Sequence, residues 1–419
     1  MATNTNVKSS GFRLFEKGPG IGAGAKDLLR HTNGSTLSSA IISTIFGCTG
    51  PCLVTISAAQ TAGFSTAETV SWIFGIYVFG GLLGAILALY YKIPISGAYS
   101  IPGATLMGTA LAGYTFNEAA ASFVLAGIIV LILGVTGLIG KVMRWLPLPI
   151  VMGMIAGCML RFGTNIVVGV TTLPLVCGAA VAAFLVIPRV VKGFPGVLAA
   201  MAVGVVAALL TGSFSGETGA LAYIAPQFVV PHFNVGLVLS CSVPLAALVV
   251  GAENAQAMGV LKAQGYDVPA NGMTVASGIG GIISGLVGAH NANIAGPMTA
   301  ICSSAEAGPK EGRYVASFWN GITFALFGIF GSFAIAFVSF IPGALVNVLA
   351  GLAMINVLIQ AFSEGFGTMK YKTGAFFSLI VGASGISVLG IGSAFWALVV
   401  GVVVSIICDS KDFKGSAEA

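Results

Sequence analysis

A single acidic residue, Glu253, lies well inside an otherwise apolar stretch of the chain, Ala246–Gln256. A charged side chain at the centre of a bilayer costs at least about 2.5–3.5 kcal/mol on insertion scales, so an acid retained at that depth indicates a functional site. We predict that Glu253 takes up and releases a proton and contacts the substrate, with Asn254 beside it as a second ligand. The alternative is a carboxylate near its helix end that is solvated, or paired with Lys262 about two turns further on.

Two other stretches, Ser96–Thr105 and Val287–Pro297, combine polar side chains, small residues and a proline within apolar sequence. The apolar run after each is too short to span roughly 30 Å of hydrocarbon at ~1.5 Å per residue. We therefore predict an extended segment followed by a half-helix in both places, which a membrane tolerates only where the backbone lines a cavity. Paired interrupted segments of this kind indicate the substrate site of a transporter.

The polar residues of these two segments are the candidate substrate ligands. The N-terminal amides and dipole of a half-helix attract an anion, so two of them at one site suit a carboxylate or another electron-rich planar group. The alternative is that these side chains only satisfy exposed backbone groups and close the gap in the helix. The candidates are Tyr99 (also a candidate aromatic wall), Ser100, Thr105, His290, Asn291 and Asn293.

The composition indicates a polytopic α-helical membrane protein. Of the 419 residues, 57% are hydrophobic and 7% are charged, against roughly 25% charged in a soluble domain. The mean hydropathy is +1.00. The sequence contains no HExxH, GxSxG or Walker motif, so we predict a protein that is not an enzyme and that holds no cofactor or metal.

Apolar segments divide the chain into seven predicted spans before a polar linker and seven after it. The predicted spans of the first half cover residues 35–59, 68–91, 97–113, 117–140, 146–162, 172–190 and 195–212. Those of the second half cover residues 235–259, 272–288, 289–305, 312–340, 342–362, 374–390 and 393–408. The third and tenth spans are the two interrupted segments.

The two halves resemble each other at four anchors in chain order, and an odd number of spans per half makes this an inverted-topology repeat. The anchors are Cys48 with Cys241, Pro51 with Pro244, Gly103 with Gly296, and Pro149 with Pro342. The same alignment sets Gln60 against Glu253, which makes Gln60 a weaker candidate ligand. With both termini in the cytoplasm, every Lys and Arg except Arg161 falls on the cytoplasmic side, as the positive-inside rule requires.

Four separated motifs resemble those of the bacterial benzoate:proton symporter family. They are Ile93–Ala104, Ile155–Gly163, Ala300–Pro309 and Gly390–Ala397. The resemblance runs from about residue 35 to 408, and that family is related to the nucleobase and sulfate transporters. It implies their seven-plus-seven fold, in which a core domain holds substrate between the third and tenth spans and moves like an elevator against a gate domain. It also implies a homodimer formed through the gate domains.

The implied domains follow the predicted spans. They are a cytoplasmic tail at 1–34, a core domain from 35–142 and 235–340, a gate domain from 143–212 and 341–408, an extracytoplasmic linker at 213–234, and a cytoplasmic tail at 409–419.

One departure from the family pattern concerns the acidic residue. Benzoate-type relatives carry a neutral Gln-Asn-x-Pro-Gly where this chain has Glu253-Asn-Ala-Gln-Ala257. A glutamate there is more like the nucleobase branch, in which it binds substrate and couples to protons. From the resemblance to the benzoate family and from this glutamate, we expect proton-coupled uptake of a small aromatic carboxylate across a bacterial inner membrane. The alternatives are a proton symporter of a nucleobase-like neutral heterocycle and, less favoured, a passive anion channel on the same fold.

Overall fold

The computed structural model describes residues 15–138, 147–191, 194–214, 222–388 and 391–415. Several predicted regions therefore lie partly outside the described residues. They are both tails, the linker, and the boundary between core and gate at residue 142. The basic residues of the orientation argument that also lie outside them are Lys8, Arg13, Lys141, Arg144 and Lys192.

The described residues are mostly helical. The helices of the first half are α1 (Ile21–His31), α2 (Gly34–Ala62), α3 (Thr66–Tyr91), α4 (Ile101–Ala110), α5 (Phe116–Thr136), α6 (Leu148–Thr172), α7 (Pro174–Val190) and α8 (Gly196–Thr211). Those of the second half are α9 (Val235–Ala263), α10 (Ala270–Gly285), α11 (Gly296–Ser303), α12 (Tyr314–Ile329), α13 (Gly331–Phe340), α14 (Gly343–Phe366), α15 (Lys372–Ser384), α16 (Ser393–Cys408) and α17 (Ser410–Gly415). Four two-residue strands complete the described elements: β1 (Gly97–Ala98), β2 (Asn293–Ile294), β3 (Ser387–Val388) and β4 (Ile391–Gly392).

The lengths of these helices make the chain a multi-pass membrane protein. By length and composition, six described helices can cross a membrane, or seven if the bent pair Lys310–Ile329 and Gly331–Val338 is one span. Three shorter apolar helices, α7, α8 and α16, have 10–17 residues each.

Both interrupted segments have the predicted form, a short extended stretch followed by a short helix. Strands β1 and β2 pair with each other in antiparallel register, with Gly97 opposite Ile294 and Ala98 opposite Asn293. The pairing satisfies backbone groups that a straight helix would otherwise have satisfied internally. Helices α4 and α11 each have a proline in the first turn, where the missing N–H costs no hydrogen bond.

Strand β1 lies directly against the backbone of α3. A Cβ added at Gly97 would contact the carbonyl oxygen of Gly80 and lie 2.6 Å from the Gly84 nitrogen. Only glycine fits this contact, because the neighbouring atoms belong to a helix backbone that cannot rotate away.

We expect Gly97→Ala to lower the free energy of unfolding by about 1–3 kcal/mol, because the added methyl group overpacks this contact. Thermal unfolding of the detergent-solubilised protein measures the loss. The matched control is Gly178→Ala in α7, where an added Cβ meets nothing within 4 Å and a helical alanine is favourable. Equal melting temperatures for the two variants would contradict the close approach.

The helices pack in two groups. In one group α5 lies along α10, α3 along α12, and α2 along both α4 and α12. In the other, α6 lies along α14 and α15, α15 along α16, and α7 along α8. Helix α14 also packs against α2, and this contact joins the groups.

Helix α1 is fastened to the first of these groups at the chain's N-terminal end. Lys92 pairs with Asp27 at 2.5 Å, and the Tyr314 hydroxyl donates to the Gly24 carbonyl at 2.9 Å. The hydrogen bond and the positive charge of Lys92 lower the pKa of the Asp27 carboxyl group. The pair therefore holds α1 with an ionised carboxylate at neutral pH.

Candidate substrate and proton site

Glu253 lies where the two half-helices begin. It is on a π-helical turn of α9, Val249–Asn254, and its side chain is buried, with 5% exposed. The carboxyl group faces the Ser100 hydroxyl and the backbone N–H groups of Ile101 and Gly296. Ile101 and Gly296 are the first residues of α4 and α11. The two helix N-termini thus converge on one point, and the group at that point is the protein's own carboxylate.

This arrangement makes the ionisation of Glu253 compete with binding of an anion. Helix N-termini carry a partial positive charge and unsatisfied N–H donors, which favour a negative group. An ionised Glu253 occupies these donors itself, whereas a protonated Glu253 leaves them to an external carboxylate. The predicted alternative, an ion pair with Lys262, is absent, because Lys262 is exposed and Lys92–Asp27 is the one ion pair among the described residues.

His290 fastens one interrupted segment to the other. The Trp72 indole N–H donates to His290 Nδ1 at 2.6 Å, so Nδ1 is an acceptor. The other ring nitrogen, Nε2, lies 2.8 Å from the carbonyl oxygen of Ser100 and donates to it. An imidazole with one acceptor and one donor nitrogen is neutral, and it is fully buried here. The ring therefore positions Ser100 beside Glu253.

Tyr99 forms part of an aromatic wall with Tyr77 and Phe324. Its hydroxyl lies 2.9 Å from that of Tyr77, which in turn donates to the Gly47 carbonyl at 2.6 Å. Tyr99 also stacks on Phe324 with 6.3 Å between ring centroids. The wall borders the cavity beside Glu253 and presents flat, apolar surface to it.

The four remaining candidates of these segments and of α9 are buried and mostly bind the protein itself. Thr105 donates to the Pro102 carbonyl at 2.7 Å, and Asn254 accepts from the Ser277 hydroxyl at 3.0 Å. Three asparagines keep buried side-chain atoms without a hydrogen-bond partner. These atoms are Nδ2 of Asn254, both amide atoms of Asn291, and Oδ1 of Asn293.

In this conformation the structure places Gln60, the weaker candidate ligand, away from Glu253. Its side chain is exposed near the end of α2, and it lines neither cavity next to Glu253. Within the described ranges, no group of three or more His, Cys, Asp or Glu side chains could hold a metal ion.

Two small cavities border Glu253. One of about 40 Å³ also contacts Gln256 and Gln360, and the other, of about 10 Å³, also contacts Phe46 and Pro51. A water molecule needs roughly 10–15 Å³, so water fits here and an aromatic acid does not. A wider cavity of about 580 Å³ shares Phe46 and Pro51 with the smaller one. An aromatic acid beside Glu253 would therefore need more space than either small cavity offers.

Three polar residues near the site were not among the predicted ligands. Gln256 lies one turn beyond Glu253 on α9, and Gln360 and Glu364 lie one turn apart on α14. The sequence carries a signal for them, since i, i+3 and i, i+4 spacings put polar side chains on one helix face. Nothing local in the sequence indicates that these two faces meet.

We expect Trp72→Phe to lower the free energy of unfolding by about 1–3 kcal/mol, because it leaves the buried Nδ1 of His290 without a donor. Thermal unfolding in detergent measures this. The control is Trp396→Phe, since the Trp396 indole donates only to an exposed carbonyl, that of Val388, at 3.2 Å. A loss no greater than in the control would contradict the stated role of the Trp72–His290 bond.

Comparison with known proteins adds a family match to this geometry. The benzoate membrane transport protein family (BenE) matches residues 30–407 of the chain. The inner membrane protein YdcO of Escherichia coli (strain K12) is 30% identical over 383 residues, which cover 90% of this chain and 98% of that protein. The benzoate membrane transport protein of Acinetobacter baylyi is 27% identical over 383 residues, which cover 91% and 97%.

Solved structures of anion transporters resemble the fold. The transmembrane domain of the cyanobacterial bicarbonate transporter BicA has a TM-score of 0.55 at 16% identity and covers 90% of this chain and 97% of that one. Murine Slc26a9, an anion transporter in the inward-facing state, has a TM-score of 0.59 at 15% identity and covers 96% and 73%. At these identities the likeness concerns the fold alone.

Proposed function

The chain belongs to the benzoate membrane transport protein family and is a membrane transporter of a small molecule, and we propose that it carries a small aromatic carboxylate, such as benzoate, together with a proton. One observation supports the proposal most strongly: the Glu253 carboxyl group faces the N-termini of both half-helices. An acid that can be neutralised lies where an anionic substrate would bind. Membership in a transporter family also favours transport over catalysis.

The proposed order of events follows from the competition between the Glu253 carboxylate and the substrate carboxylate for the two helix N-termini. A proton first binds Glu253, which removes the negative charge and frees the helix N-termini. The substrate carboxylate then binds these N–H groups, and its ring packs on the aromatic wall that contains Tyr99 and Phe324. An anion arriving before the proton would be repelled by the ionised carboxylate. In this proposal the site is formed or positioned by Ser100, Thr105, Asn254, His290, Asn291 and Asn293, and Gln60 has no part in it.

The packing of the helices into two groups supports an elevator-type movement. The proposed core comprises residues 35–142 and 235–340, and the proposed gate comprises 143–212 and 341–408. The fold of BicA and Slc26a9, the interrupted segments and the positions of the predicted spans support fourteen segments in an inverted repeat. We place the protein in a bacterial inner membrane, as YdcO is an inner membrane protein. From the distribution of Lys and Arg we place both termini in the cytoplasm. We also infer a homodimer formed through the gate domains.

The second candidate is a proton symporter of a neutral, nucleobase-like heterocycle. It is favoured by the carboxylate itself, because Glu253 can accept hydrogen bonds from ring N–H groups without being protonated first. The two candidates predict opposite effects of proton uptake by Glu253 on substrate binding.

Uptake of labelled benzoate into proteoliposomes, with and without an inward proton gradient, tests the proposal. We expect accumulation only with the gradient, and no competition from excess uracil or xanthine. Gradient-dependent uptake of a nucleobase in place of benzoate would support the second candidate. Benzoate flux that ignores the proton gradient would indicate a passive channel and contradict both.

A further inference from the structure

A row of hydrogen-bonded side chains joins α9 to α14 beside the Glu253 cavity. The Gln256 amide donates from Nε2 to Gln360 Oε1 at 3.2 Å, and the Gln360 amide donates from Nε2 to Glu364 Oε1 at 2.7 Å. Gln256 and Gln360 both line the cavity of about 40 Å³ that Glu253 also lines. The row therefore runs from the cavity that Glu253 lines to a second carboxyl group, that of Glu364 on α14.

The charge on Glu364 determines the direction of the hydrogen bonds in this row. An ionised carboxylate only accepts hydrogen bonds, so Gln360 must turn its NH₂ group to Glu364 and its oxygen to Gln256. When Glu364 is protonated it can donate instead, and the orientation of both amides can then reverse. The protonation state of Glu364 thus determines which way the Gln256 amide is oriented in the cavity wall, one turn from Glu253.

The cavity that Glu253 shares with Gln256 and Gln360 suits water. Its volume of about 40 Å³ exceeds the roughly 10–15 Å³ that one water molecule needs, and one carboxyl and two amide groups supply the polar partners that buried water needs. Water held in this way can carry a proton from Glu253 as far as Gln360, whose amide holds Glu364 next to the cavity. The amides themselves cannot take up a proton at neutral pH.

Glu364 lies at the end of the row that is closer to water. The side chain is half-buried, and no cation lies within ion-pair distance of it in the described part of the chain. Residues 367–370, which follow α14, are exposed, so the row ends near water. The lysines that follow α14 in sequence, Lys370 and Lys372, are exposed, as is Lys262 towards the end of α9.

We propose that Glu364 is a second proton-carrying residue, which receives the proton that Glu253 releases and passes it to the aqueous phase at the end of α14. The step is a transfer from neutral Glu253 to ionised Glu364 through cavity water, which leaves Glu253 ionised and Glu364 neutral until Glu364 loses the proton to solvent. This inference rests on the proposed proton coupling and adds the residue by which the proton leaves.

The variant Glu364→Gln separates proton transfer from support of the row. A glutamine at 364 still accepts the hydrogen bond from Gln360, but it cannot take up a proton. In proteoliposomes loaded with a pH-sensitive dye, we expect benzoate-coupled proton flux to fall at least about 10²-fold, the lower end of the range for a lost proton-transfer group. Counterflow of labelled against unlabelled benzoate, which needs no net proton movement, should remain. Glu364→Asp keeps a titratable group and should retain coupled flux.

Gln360→Met is the second variant, because it leaves Glu364 in place but removes the amide that joins it to the cavity. We expect it, too, to lower coupled proton flux while counterflow continues. Wild-type proton flux in either Glu364→Gln or Gln360→Met would overturn the inference. Loss of counterflow and flux together in both Glu364 variants would also overturn it, in favour of a structural role. Wild-type protein that moves benzoate without protons would instead refute the proposed function.

Discussion

Replacing Glu253 with glutamine should abolish the accumulation of substrate driven by a proton gradient, while exchange of substrate across the membrane continues. Glutamine resembles the protonated form of Glu253, so the N-termini of α4 and α11 stay free to bind the substrate carboxylate. The variant has no proton to release, however, and the gradient can no longer drive the cycle. We expect coupled uptake to fall by at least about 10²-fold, as when an essential proton-transfer group is removed.

Two measurements on proteoliposomes check this expectation. Gradient-driven uptake should be lost, whereas counterflow of labelled against unlabelled substrate should persist and become independent of pH. The matched control is Glu68→Gln, because Glu68 only caps the first turn of α3 through Ser65. Gradient-driven accumulation in the Glu253 variant would remove Glu253 from the proton pathway. Loss of counterflow as well would favour direct binding of a neutral heterocycle by the carboxylate.

Replacing His290 with alanine should abolish both gradient-driven uptake and exchange. The change leaves the buried indole N–H of Trp72 without a partner, at about 1–3 kcal/mol. It also removes one of the two hydrogen bonds to the Ser100 carbonyl, which keeps the bond from the Ala104 N–H. It also releases the segment that aims the N-terminus of α4 at Glu253. Since a displacement of about 1 Å can cost roughly 10²-fold in rate, transport should fall by that factor or more in any folded protein.

The contrast with the Glu253 variant identifies the role of the histidine. A positioning residue affects counterflow and coupled uptake alike, and its loss lowers the melting temperature. The control is His232→Ala, where the side chain is exposed. If His290→Ala retained counterflow and lost only the coupling to protons, the imidazole would be a proton carrier and the neutral, doubly bonded ring described above would be wrong.

Local sequence was sufficient to predict the interrupted segments and the acid. Proline and glycine beside polar residues predict a broken helix, and a short helix does begin after Ser100 and another after Ala295. The cost of a charge inside a membrane singles out Glu253 without any structural knowledge. Both signals depend on neighbouring residues only, which is why they could be predicted from the sequence.

Contacts between distant parts of the chain could not be predicted in this way. The carboxyl group of Glu253 reaches both half-helices because β1 pairs with β2 and because the π-helical turn Val249–Asn254 shifts the residues after it, and no local pattern specifies either. The repeat alignment set Gln60 opposite Glu253, but Gln60 is exposed. The two helices differ in form, since α2 is interrupted at Thr49 whereas α9 runs through to Ala263. The meeting of Gln256 with Gln360 likewise depends on packing between elements far apart in sequence.

The pairing of β1 with β2 has a consequence for biosynthesis. Its two strands, and the bond from His290 to Ser100 beside them, join residues about 190 positions apart. At roughly 5–20 residues per second, a ribosome needs about 10–40 s to make the second partner after the first has emerged. Through that interval the open backbone at Gly97 and Ala98 has no strand to bind, and hydrocarbon offers it no hydrogen bond. The nascent first half must therefore wait in a hydrated or chaperoned environment, and membrane insertion of this region is completed only when the second half arrives.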